Sequence, residues 1–300
     1  MKLDIDGTNV IITLPLKDSG FFGEAGNVTM TGATNSGYGK GALLSNTIGV
    51  QNTASGSLSL NSNTTGRSNT ASGVNALRLN TGGSSNCATG VTALYSNTIG
   101  NFNTADGVEA LFSNTIGNYN AANGYRALYS NTIGVDNTGT GTYALRSNTT
   151  GNYNAGHGTN ALLGNTTGSR NTANGVSALN YSISGNSNTA DGCGALLNNT
   201  TGNENTGAGA DALADNTTGS RNTALGSNTG RGITTGSGNT IVGANISGLA
   251  PTLSNTVIIA DGDGNIRIIV DSTGAVRITS LAGIDARNVV ASANGTLSAP

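Results

Sequence analysis

NTADGVEALFSNTIGNY (103–119) is followed at once by NAANGYRALYSNTIGVD (120–136), nearly the same text 17 residues later. Working outward, Asn recurs at 35, 52, 69, 86, 103, 120, 137, 154, 171, 188, 205, 222 and 239 without a slip. Four residues after each stands a glycine, from Gly39 to Gly243, and a second closes each of the first twelve units, from Gly49 to Gly236. Ala-Leu fills the eighth and ninth positions in ten of the first eleven units, Ser59-Leu60 being the near miss. The consensus is N-T-A-x-G-x-x-A-L-x-x-N-T-T-G-x-x.

A fixed period without insertions means that each repeat is one geometrical unit stacked on the last. Seventeen residues are too few for a helix pair with its connections, and they suit one coil of a β-solenoid with two short strands and two bends. Glycines such as Gly107, Gly117, Gly124 and Gly134 mark the bends, because only glycine adopts positive φ cheaply. Stacking at about 4.8 Å sets identical side chains in ladders, so Asn103 and Asn120 would pass amide hydrogen bonds along a column. The core of the quoted coil is expected to be Ala105, Val108, Ala110 and Leu111. The fold expected is all-β: a parallel β-solenoid, or β-roll, of thirteen 17-residue coils over 35–243, with small β caps at 1–34 and 244–300. Four or five small apolar groups per coil scarcely offset the ordering of the backbone at over about 1 kcal/mol per residue. A homotrimer, intertwined or side by side, is therefore expected to bury a shared face.

Composition narrows the function classes. Glycine is 47 of 300 residues, aromatics are 4%, charged residues 9% and tryptophan is absent, which argues against an ordinary enzyme with a large core. Only three prolines and a net charge of -2 argue against a disordered chain. With 13 basic and 15 acidic residues there is no electrostatic footprint for nucleic acid. No apolar run approaches a membrane span, so no membrane insertion is expected. MKLDIDGTNVIITLPL lacks the cationic start and long apolar core of a signal peptide. Cys87 and Cys193 occupy different phases of the repeat and read as small-residue substitutes.

The ends depart from the repeat. KLDI-DGTN-VIITL reads as a hairpin and FFGEAGNVTM as a further strand, with Phe21 and Phe22 placed either to dock a partner or to fill a local core. NTVIIA, NIRIIVD, AVRITS and RNVVAS read as strands separated by DGDG, DSTG and LAGIDA, a β-meander that would protect the open edge of the stack.

Candidate chemistry is sparse. Asp261-Gly-Asp263-Gly-Asn265 resembles the start of a calcium loop, but Ile266 stands where a glycine is required and Ser272 where Glu is, so a hairpin turn is expected. GYGKGAL (37–43) lacks the Ser or Thr of a phosphate loop. His157 shares its column with Asp106 and Asp191, which favours an outward column over a metal site. No metal or cofactor is expected, nor a catalytic residue: carboxylates never recur one coil apart, the simplest way to pair them for glycosidase chemistry. Opposite charges do recur that way, Glu109 with Arg126 and Glu204 with Arg221, and inter-coil ion pairs are expected. Eight of the twelve aromatics lie between 95 and 153. Tyr95, Phe112 and Tyr129 share the tenth position of three successive coils, and Phe102, Tyr119 and Tyr153 the last position of theirs. Such a stripe serves either subunit packing or contact with a receptor.

The NTAxGxxAL…NTTGxx unit resembles repeats of bacteriophage tail fibres. More distantly it is similar to the head repeats of trimeric autotransporter adhesins, which are trimeric left-handed parallel β-rolls. The likeness covers about 35–278. It implies a non-enzymatic fibre of a phage tail or phage-like injection particle, exposed on the extracellular virion without a signal peptide. Its partners would be tail or baseplate proteins at the N-terminal end and a host-surface glycan or protein. A cell-surface trimeric adhesin is the nearest alternative. A polysaccharide-degrading tailspike and an ice-binding solenoid, using a ladder such as Thr98, Thr115 and Thr132, stand further off.

Overall fold

A computed structural model describes residues 2–5, 9–12, 20–27, 29–279, 290–291 and 297–298. The chain divides into two compact units, Met1–Asn154 and Ala155–Pro300. The described residues contain strands and turns and no helix. Each unit is built on a parallel β-solenoid at 17-residue spacing, the all-β fold expected from the repeat.

In the first unit, β1 (Lys2–Ile5) and β2 (Asn9–Ile12) form an antiparallel hairpin. The parallel ladder starts at β3 (Gly20–Phe22) and continues through β4 (Ser36–Tyr38), β5 (Thr53–Ser55), β6 (Thr70–Ser72), β7 (Cys87–Thr89), β8 (Thr104–Asp106), β9 (Ala121–Asn123) and β10 (Thr138–Thr140). Phe21 is buried and Phe22 exposed. The Phe21 ring lies where a side chain on Gly26 or Gly37 would be, so it fills a local core.

One strand forms per coil, not two. After β8 the chain turns at Gly107, whose φ is +141°, and residues 108–117 run as turns and bends. Glu109, Leu111 and Tyr119 all adopt the left-handed region, with φ of 59°, 52° and 58°. That costs a non-glycine residue roughly 1–2 kcal/mol. The cost is offset because each of these N–H groups then reaches a neighbouring coil: Glu109 N donates to Val91 O (3.0 Å), Leu111 N to Ala127 O (3.0 Å) and Tyr119 N to Asn101 O (3.1 Å).

The interior differs from expectation at one position. Ala105, Ala110 and Leu111 are buried, but Val108 points outward at 43% exposure. The Gly107 turn breaks the alternation of the strand, and the sixth position faces solvent. Its place inside is taken by Asn114, fully buried beside Asn103. Two asparagine columns run through the coils. Asn103 donates from its backbone N (2.9 Å) and its Nδ2 (3.2 Å) to Asn86 Oδ1, and from Nδ2 to Gly117 O (2.8 Å). Asn114 Nδ2 donates to Asn97 Oδ1 (2.8 Å) and also to Gly117 O (3.1 Å). Asn120 repeats the pattern on Asn103 Oδ1 (3.0 Å) and Gly134 O (2.8 Å).

This convergence corrects the bend argument for the second glycine. Gly107 and Gly124 have positive φ, but Gly117 and Gly134 do not. A Cβ on Gly117 would lie 2.4 Å from Asn114 Oδ1 and 2.5 Å from Gly134 O. Space, rather than backbone conformation, requires glycine there. The interior of a coil is thus lined by its own chain and its neighbours in sequence.

In the second unit β11 (Ala155–His157), β12 (Thr172–Asn174), β13 (Thr189–Asp191), β14 (Thr206–Ala208), β15 (Thr223–Leu225), β16 (Thr240–Val242) and β17 (Val257–Ala260) pair in parallel. The chain then reverses: β18 (Ile266–Val270) pairs antiparallel to β17, and β19 (Val276–Ile278) to β18. Here the small interior residues give way to Ile233, Ile241, Ile246 and Ile258, packed against Leu249, Leu253, Ile266 and Ile269. Of the fourth expected strand, the described part is β20 (Val290–Ala291), antiparallel to β21 (Leu297–Ser298).

Truncating Asn114 to Ala strands Asn97 Oδ1 and takes from Asn131 Nδ2 one of its two acceptors, leaving Gly134 O, and a buried orphan costs about 1–3 kcal/mol. Urea unfolding is expected to show that loss for Asn114→Ala, at least as large a loss for Gly117→Ala, and little for exposed Thr104→Ala. Equal midpoints for all three would refute the ladder account.

Candidate functional site: the outward columns

With the inward letters fixed by hydrogen bonding and space, the chemistry available to partners lies in the outward columns. In the first unit Tyr95, Phe112 and Tyr129 stack one coil apart, with centroids 5.1 and 5.2 Å apart and planes inclined by 8° and 9°. All three are half-buried. Arg78 lies over Tyr95 (5.8 Å) and donates to its hydroxyl (3.3 Å), while Arg126 lies over Tyr129 (5.4 Å) and Tyr125 (5.1 Å). Arg126 also pairs with Glu109, whose hydrogen bond raises its pKa. That is the first expected inter-coil ion pair. The second, Glu204 with Arg221, is absent from the ion pairs of the described residues.

Phe102 and Tyr119 form a second stack (5.0 Å, 2°) and are 53% and 58% exposed. Tyr153 is equally open, but Asp136 separates it from that pair in the column. The six aromatic candidates therefore fall into a half-buried stack, an exposed stacked pair and one separate tyrosine. Inside a stack the ring faces cover one another, and solvent meets mostly their edges. Isoleucines 99, 116 and 133 are exposed in another column of the same coils.

The other sequence candidates resolve into structural parts. Asn103 and Asn120 are buried ladder members. His157 is exposed, as are Asp106 and Asp191 in its column, and among the described residues no three His, Cys, Asp or Glu side chains gather as for a metal ion. Cys87 and Cys193 are exposed thiols. Gly39 and Gly41 have positive φ within the first turn. Thr98, Thr115 and Thr132 each donate their hydroxyl to the carbonyl of the threonine one coil on, at 3.0 Å. Asp261 accepts from Asp263 N (3.1 Å) and Asn265 N (3.0 Å) and pairs with Arg267, so its loop is a closed turn. The hydrogen bond from Arg267 is the main cause of its carboxyl pKa falling to about 2.

The second unit holds a candidate that the aromatic columns of the first do not contain. There a groove of about 790 Å³ runs across successive coils between the eleventh and thirteenth positions, lined by Tyr181, Ile183, Asn198, Thr200, Asp215 and Thr217 among others. Asp215 holds Arg231 in a two-bonded pair (2.8 and 3.0 Å) and accepts from Gly232 N (2.9 Å). The Arg231 hydrogen bond lowers the Asp215 pKa below the usual carboxylate range. The sequence did carry a signal: LNYSISGN (179–186) departs from the L-x-x-N-T-T-G consensus. No protein family, curated protein or solved structure matches the chain.

Two outcomes test these assignments. Phe112→Ala removes two ring contacts worth about 0.5–1.5 kcal/mol each beyond burial, and should destabilise more than Tyr119→Ala, which removes one exposed contact; the reverse order in urea unfolding would contradict the stacking. Because the Asp261 pKa is depressed, its stabilisation is present above the ordinary carboxylate pKa and lost only as pH falls through about 2. NMR titration of Asp261 in Arg267→Ala should show the midpoint rising toward about 4, and an unchanged midpoint would remove Arg267 as the cause.

Proposed function

We propose that the chain is a non-enzymatic structural fibre of a phage tail or phage-like injection particle that mediates attachment to the host surface. The observation that supports this reading is the division of labour within each coil. The inward letters are fixed by the asparagine–glycine network, and the outward letters, such as Asp106, Glu109, Phe112 and Tyr119, vary from coil to coil. A stack of this kind is a stiff spacer that offers many repeated surface positions. Weak contacts repeated at fixed intervals gain strength by avidity.

On this reading the chain works as a homotrimer on the extracellular virion. The N-terminal end meets tail or baseplate proteins and the outward columns meet a host-surface glycan or protein. Nucleic acid and membrane insertion play no part. The resemblance of the repeat to tail-fibre sequences and the near-neutral, charge-poor composition are the further supports.

Sedimentation equilibrium and adsorption to a panel of bacterial cells test it together. A trimer that adsorbs to some strains, with trimer binding far exceeding that of dissociated chains, is the expected result. A monomer that adsorbs to none of them would overturn it.

A further inference from the structure

We propose that the groove on the second unit is a binding site for a neutral, hydroxyl-rich oligosaccharide, with Tyr181 as its stacking platform. This deepens the attachment reading by naming a ligand class and a place for it.

The first argument is the coil that builds the groove. In the coil 171–187 the regular Asn of the twelfth position is Ser182 and the regular Thr of the thirteenth is Ile183. The substitution has a structural cost. Ser182 Oγ is fully buried without a hydrogen-bond partner in the protein, and Asn180 Oδ1, in the same coil, is likewise without one. Asn199, in the next coil, donates to Gly202 O (3.0 Å), while Ser182 has no amide to continue the column that Asn216 and Asn199 form (2.7 Å). Where a repeat breaks its own hydrogen-bonding rule, the residues gained there are the place to seek function. What is gained is Tyr181 and Ile183, 57% and 48% exposed, on either side of the buried serine.

The second argument is the free ring face. Tyr95, Phe112, Tyr129, Phe102 and Tyr119 all spend ring faces on one another. Tyr181 is exposed and stacks on no other ring among the described residues, which leaves it available as a platform. A pyranose ring offers a matching apolar face of C–H groups.

The third argument is the polarity of the hydrogen-bonding groups. Thr200 and Thr217 donate their hydroxyl protons to the carbonyls of Thr217 and Thr234, both at 3.0 Å. Their oxygens can therefore only accept from a ligand. Asp215 can also only accept, and its charge is already balanced by Arg231. The second N–H of Asn198, whose first is held by Ala214 O, and the Tyr181 hydroxyl can donate. Acceptors and donors side by side with no unbalanced charge suit neutral hydroxyls, which do both, and a sugar adds its apolar C–H face for the Tyr181 ring. The groove extends over several successive coils, with Tyr181, Asn198 and Asp215 in turn at the eleventh position, and that extent suits a linear chain laid along the stack.

The test uses the full chain and four neutral hexasaccharides: cello-, chito-, manno- and maltohexaose. Saturation-transfer NMR and calorimetry are expected to show binding of at least one, weakened at least tenfold in Tyr181→Ala and kept in Tyr181→Phe, which retains the ring. Circular dichroism should show both variants folded. If none of the four binds, or if Tyr181→Ala binds undiminished, the groove proposal is overturned. Adsorption to cells is scored separately: sugar binding without adsorption removes the attachment reading and leaves the groove, and adsorption that survives Tyr181→Ala without sugar binding does the reverse.

Discussion

Two asparagine amides meeting on one glycine carbonyl hold together each coil that keeps the consensus. At Gly117 the carbonyl oxygen receives Asn103 from one side and Asn114 from the other. Both amides also reach the coil before, on Asn86 and Asn97. The network satisfies backbone groups that the turns leave without strand partners, as when Asn103 N finds a side-chain acceptor in place of a backbone one. It also fills the space a Cβ would need, which is why the glycine is retained at ordinary φ. Insertion of a single residue would move an amide off its carbonyl and leave buried polar groups unpaired, so the period cannot drift.

From that constraint the remaining features follow. The coil must return to its start in 17 residues, and it does so with one three-residue strand and a series of left-handed residues rather than two strands. Of those left-handed positions, the ones at Glu109 and Tyr119 accept varied side chains because what matters there is the direction of the N–H. Leu111 still turns inward and is buried, while Glu109 and Tyr119 are free to vary. The aromatic stack at Tyr95, Phe112 and Tyr129 arises from the same geometry: rings at one phase fall about 5 Å apart, close to the strand spacing.

Departures from the repeat have two physical characters. Near Ile233, Ile241 and Ile258 isoleucines replace the small interior residues while Asn239 stays buried in its ladder, and an antiparallel pair then turns the parallel ladder back on itself. That exchange covers the last edge of the parallel ladder with an antiparallel pair. At 180–183 the departure leaves buried oxygens unpaired and opens a groove beside an exposed tyrosine. The first kind stabilises the stack, and the second weakens it locally.

The sequence by itself determined the stack: a strict Asn and Gly period with no insertions admits only identical coils in register, and the ladder of Asn103 and Asn120 was legible from it. The inward places of Ala105, Ala110 and Leu111 and the turn at Gly107 were also legible, because burial and positive φ each select residue types. Tertiary structure alone decided that Val108 faces out and Asn114 faces in, since the number of strands in a coil is not written in its letters. It alone decided why Gly117 is glycine, because the atoms that exclude a Cβ come from Asn114 and from the next coil. The separation of stacked rings from the open Tyr181 was likewise a matter of which faces neighbouring coils cover. A ring's phase can be read in one dimension, but the exposure of its face depends on what is packed above and below it.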